Sequence, residues 1–147
     1  MALFKSTPKK VSEPMGRELL DIVVRALDSQ KIKYTVDTGK LTVKVIYTTE
    51  TFDLNAFIHT YEDRSTLALD GPLDFTIPAS ARSRVLEKIN DVNIKLHYGA
   101  FTLEDDKVWY RFHVFPTGVI SVDELLGILK MFLKTIDSHD DDIHSVI

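Results

Sequence analysis

The 147 residues are 44% apolar, enough to bury a substantial core, and the net charge of −4 resides in Asp137, Asp140, Asp141 and Asp142, so the body is close to neutral. It therefore lacks the basic stripe with which nucleic-acid binders displace counterions. With no cysteine, disulfides, thiolate metal centres, iron–sulfur clusters and cysteine nucleophiles are excluded.

Residues 1–11 mix Lys, Ser, Thr and Pro without periodicity and read as a flexible N-terminal arm, and the apolar run Met1–Phe4 is too short for the core of an export signal. Ser12 is placed to cap a helix that Pro14 opens, with Met15, Leu19, Ile22, Val23 and Ala26 on one apolar face widened by Leu20, Val24 and Leu27. After Asp28-Ser29-Gln30, the alternation of Ile32, Tyr34 and Val36 predicts a strand. The turn Asp37-Thr38-Gly39-Lys40 then leads to a second strand carrying Leu41, Val43, Val45 and Tyr47. Phe52, Leu54, Ala56 and Ile58 supply a third strand, and Thr66–Leu69 a short fourth that the turn signal Asp70-Gly71-Pro72 ends.

Pro78 suits a first helical turn, and Ala81, Val85, Leu86, Ile89 and Val92 form the face of a second helix that is expected to end at Asn93. Between Ile89 and Leu103 helical spacing gives way to alternation, with Asn93 and Gly99, which tolerate positive φ, at the junction. Two strands, Tyr98–Glu104 and Val108–Phe115, are joined at Asp105-Asp106-Lys107 and closed by Pro116 and Gly118. Ser121-Val122-Asp123-Glu124 has capping-box spacing and starts a third helix that buries Val122, Leu125, Leu126, Leu129, Phe132, Leu133 and Ile136. Its most apolar window, residues 125–129, stops at Lys130, far short of the roughly 20 residues a bilayer span requires. The expected organisation is an arm over 1–11, one domain over 12–137 and a solvated acidic tail over 138–147.

This order of elements, together with Ile89-Asn90-x-x-Asn93, Gly99-x-Phe101-x-Leu103, Val108-x-Tyr110-Arg111 and the Ser121-capped helix, resembles the YbjN-like family over roughly residues 14–137. The resemblance implies an α+β fold, order α-β-β-β(-β)-α-β-β-α, with helices packed on an antiparallel sheet as in class I type III secretion chaperones. Those chaperones are small acidic homodimers that bind other polypeptides. The family is assigned to the regulation of sensory transduction and stress responses, so the resemblance carries architecture further than activity.

Motifs for chemistry are sparse: there is no phosphate-cradling glycine loop, nucleophile elbow or His-Glu-x-x-His helix. His59 and His113 fall opposite the predicted core face and read as solvated or edge-packed imidazoles, and Asp105-Asp106 as a turn. His139-Asp140-Asp141-Asp142-Ile143-His144 has ligand-type residues, but a mobile tail would have to be ordered before it could hold a divalent ion. No catalytic, cofactor-binding or metal residue is assigned. The unexplained feature is apolar side chains out of phase with the core series Val43, Leu54, Val108, Tyr110 and Phe112, namely Ile46, Phe57, Trp109 and Phe115, with Ile128 and Met131 as a second patch on the last helix. They are the candidate partner-binding residues of a non-enzymatic, cytoplasmic interaction module, expected to be soluble and to self-associate, with another protein as partner and with neither nucleic acid nor membrane. The alternative is a small-molecule-binding or enzymatic domain that uses a cleft between the sheet and its helices.

Overall fold

In the computed structural model, which describes residues 14–48, 53–116, 118 and 120–147, an open antiparallel sheet is backed by helices on one face. The described elements are α1 (Gly16–Ser29), β1 (Lys33–Asp37), β2 (Thr42–Thr48), β3 (Asp53–Tyr61), β4 (Arg64–Thr76), α2 (Arg82–Lys95), β5 (Ala100–Glu104), β6 (Lys107–Val114) and α3 (Val122–His144), with a 3-10 turn at Ala79–Ala81 leading into α2. The six strands lie in the order β1-β2-β3-β4-β6-β5, so a four-stranded meander from the first half of the chain and a hairpin from the second meet at the β4–β6 pair. The expected α+β class and order are those observed.

Alternation sets which face is buried. Val43, Val45, Leu54, Ala56, Ile58, Leu67, Leu69, Val108, Tyr110 and Phe112 point at the helices and are almost wholly inaccessible, as strict period-two patterning dictates. From the helices, Leu19, Leu20, Val23, Leu27, Val85, Ile89, Leu129, Phe132 and Ile136 meet them in one continuous cluster. The Ser121 capping box is complete: the Ser121 hydroxyl accepts from the Glu124 amide, and the Glu124 carboxylate accepts from the Ser121 amide.

Several boundaries depart from the sequence reading. Ser12, expected to cap α1, and Phe52, expected in β3, lie outside the described residues, as do residues 1–11. The helix starts at Gly16, two residues after Pro14, and Met15 is exposed at its N-cap with no side-chain cap. Val36 and Leu86 are exposed rather than buried. Phe115 lies just beyond β6 and Tyr98 before β5, both largely exposed, and Leu103 is only half-buried.

The largest departure in the sheet is β4, thirteen residues long, in which Asp70-Gly71-Pro72 is strand and not turn. Gly71 sits beneath α3, where a Cβ would come 3.3 Å from Phe132 Cζ and 3.6 Å from Ile136 Cδ1, so it serves close helix approach. Pairing with β3 stops at Asp70, where Pro72 has no N–H to offer, while the ladder with β6 continues. Local turn propensity has yielded to tertiary packing.

Helix α2 likewise continues past Asn93 to Lys95. The Asn93 side chain turns toward β5, its Nδ2 donating to the Phe101 carbonyl and its Oδ1 accepting from the Phe101 amide, each at 2.9 Å. Gly99, at φ +69, passes so close to β6 that a Cβ would stand 2.5 Å from the Arg111 carbonyl oxygen and 2.6 Å from Tyr110 Oη.

Residues 138–147 do not form a solvated tail, because α3 runs to His144 and buries Ile143 completely. Ile143 follows Ile136 by two helical turns and so lies on the same stripe. Lys88 pairs with Asp142 at 2.9 Å, Arg84 Nε donates to the Val146 carbonyl at 2.9 Å, and His144 meets the Phe75 ring edge-on. Among the described residues no helix is long and apolar enough to cross a membrane.

Candidate functional site

The opposite face of the sheet carries no helix among the described residues, and its side chains follow from the register. One row crosses four strands as Lys44, Phe57, Asp70 and Arg111. A neighbouring row holds Thr42, His59, Ala68 and His113, and Trp109 stands between Pro72 and Thr102 on the other side. The Phe57 and Trp109 rings are 6.4 Å apart and tilted by 40°, an edge-rich aromatic pair, and Phe57 stacks on His59 at 6.4 Å.

Polar contacts fix the surround of this pair. His59 Nε2 is 3.0 Å from Asp70 Oδ2, and its Nδ1 is 2.9 Å from the Thr42 hydroxyl. That hydroxyl also donates to the Lys40 carbonyl at 3.0 Å, so Asp70, His59, Thr42 and the Lys40 carbonyl form one connected polar chain. Arg111 grips Glu104 through both terminal nitrogens and lies 6.0 Å from the centre of the Trp109 ring. The Glu104 hydrogen bonds hold the Arg111 guanidinium above its ordinary range, with partial burial opposing them. The result is an aromatic centre rimmed by pre-positioned charges, the composition that recurs at protein interfaces.

The six candidate residues therefore separate into groups. Phe57 and Trp109 touch on the open face. Ile46, also exposed there, lies opposite Asn55 and Lys33, outside that pair. Phe115, Ile128 and Met131 meet elsewhere, lining a groove of about 550 Å³ with Ile120 between the end of β6 and α3. Periodicity alone does not single out Thr42, Asp70 or Arg111. Asp70 in particular has no readable face until β4 is known to run through it. His59 and His113 flank Ala68 without forming a ligand pair, and among the described residues no group of three or more His, Asp or Glu side chains is arranged to hold a metal ion.

An open antiparallel sheet with helices on one face and a part-aromatic, part-charged second face defines an α+β protein with one covered and one open sheet face. The chain belongs to the YbjN family: the family model described as "Putative bacterial sensory transduction regulator" matches residues 19–145. Its fold is similar to the crystal structure of YbjN from E. coli, described as "a putative transcription regulator", with a TM-score of 0.63 at 10% identity over 86% of this chain and 91% of that one. At that identity the likeness speaks for the fold alone. A search of curated protein sequences finds no match. The family's descriptions assign a regulatory role and name no enzyme activity.

Proposed function

We propose that the chain is a non-enzymatic regulatory module of the cytoplasm that works by binding another polypeptide, and a second copy of itself, on the open face of the sheet. The observation that carries this reading is the Phe57–Trp109 pair, two aromatic rings held together on a face without helices and framed by His59–Asp70 and Arg111–Glu104. Aromatic side chains at the centre of a patch supply most of the binding energy of an interface, while fixed charges at its rim set orientation and partner choice. The regulatory role of the family fits such a device, because a regulator needs a selective surface and not a reaction centre.

The test is capture of partners from a cell extract by the parent chain and by Trp109→Ala/Phe57→Ser, followed by mass spectrometry. Polypeptides retained by the parent and lost by the variant support the reading. Identical captures from both chains would remove the open face from the function.

A further inference from the structure

A cleft separates the free-edge end of the sheet from α3. Ile32, just before β1, and Tyr47 of β2 form one wall, and Leu126, Leu129 and Leu133 form the other, around about 550 Å³. Leu129 and Leu133 belong to the core, so that wall is anchored in it. Lys130 and Lys134 stand at the mouth, one helical turn apart, and neither forms an ion pair among the described residues.

We propose that this cleft binds a free medium-chain alkyl carboxylate, with the chain over Leu126, Leu129 and Ile32 and the head group between Lys130 and Lys134. The volume falls within the roughly 300–1,000 Å³ of small-molecule sites, and the groove is short for a docked partner helix, which needs anchors over several turns. Lys134 follows Leu126 by eight residues, about 12 Å of helix at about 1.5 Å per residue, the span of a medium-length extended alkyl chain. Each methylene withdrawn from water over Ile32, Leu126 and Leu129 favours binding, and Gln30 and the Tyr47 hydroxyl are the uncharged polar groups of the lining. Charge completes the selection: with Asp137 also at the mouth, the local balance of two ammonium groups and one carboxylate is a single positive charge, which matches a monoanion.

The site is remote from Phe57 and Trp109 and stands independently of the function proposed for the open face. Titration calorimetry of the full chain with dodecanoate, kept below its micelle concentration, should show saturable one-to-one binding. Lys130→Gln/Lys134→Gln should weaken it at least tenfold, dodecan-1-ol should bind the parent at least tenfold more weakly than dodecanoate, and Trp109→Ala/Phe57→Ser should bind as the parent does. Absence of saturable binding, or equal binding by the double-lysine variant, would overturn the proposal. So would affinity confined to anionic phospholipid vesicles, or binding that arises only after residues 1–13 are removed, which would make that segment the occupant.

Discussion

Asn93 pairs with Phe101 as a neighbouring strand would, its side-chain amide donating to the Phe101 carbonyl and accepting from the Phe101 amide at 2.9 Å each. β5 is an edge strand, so this contact satisfies backbone groups that would otherwise face a gap between α2 and the sheet. Replacing Asn93 by Ala should cost about 1–3 kcal/mol, the usual penalty for stranding a partly buried hydrogen-bonding group. Asp at the same position keeps the acceptor and loses the donor, and should fall between. Urea midpoints give the ranking, and faster hydrogen exchange at the Phe101 amide in Asn93→Ala would tie the loss to this contact.

Gly99→Ala is expected to be more harmful than its size suggests. The φ of +69 disfavours any side chain, and the new Cβ would meet the Arg111 carbonyl and the Tyr110 hydroxyl, which itself donates to the Tyr98 carbonyl at 2.9 Å. Strain and overpacking together should cost on the order of 2–4 kcal/mol. A melting temperature equal to the parent's would show that the chain passes β6 at a greater distance.

The last turns of α3 should prove structural. Ile143→Ala empties a fully buried site and should cost about 2–5 kcal/mol. Removing residues 138–147 should cost more, since the Lys88–Asp142 pair and the Arg84 contact with Val146 go as well. Thermal unfolding of the two variants checks both expectations.

Asp140 works against the fold at neutral pH. Burial raises its pKa, reinforced by the neighbouring charges of Asp141 and Asp137 and offset in part by backbone hydrogen bonds. The folded chain thus holds this proton more tightly than the unfolded chain. Its favourable contribution is present below the ordinary carboxylate range and is lost as pH rises through the raised value. The carboxylate also sits near the C-terminal end of α3, where the helix dipole disfavours negative charge. Asp140→Asn should accordingly raise the unfolding midpoint at pH 7, with the advantage shrinking as the pH falls through the raised value to the ordinary carboxylate range. An advantage that is unchanged across that range would exclude the titration of Asp140 as its origin.

The sheet was legible where alternation is strict. Val43, Leu54, Val108, Tyr110 and Phe112 read directly as core, and the same parity sends Phe57 and Trp109 to the opposite face. It failed at Asp70-Gly71-Pro72, whose turn chemistry is local while the demand for a small residue beneath Phe132 comes from a helix some sixty residues later. The same local turn signal hides the place of Asp70 beside His59. The end of α3 was masked by Ser138–Asp142, although Ile136 and Ile143 share the helical stripe and could have extended it. Asn93 reads as a helix terminus because its residue type permits that role, whereas the partner that recruits its side chain lies across the junction.

Sedimentation equilibrium of the parent chain beside Trp109→Ala/Phe57→Ser tests the central claim most directly. The parent should show a concentration-dependent mass above the 16.7 kDa of one chain, and the variant should sediment at that mass with its unfolding midpoint retained. A parent that remains a single chain at every accessible concentration, together with a variant that binds partner polypeptides as the parent does, would contradict it.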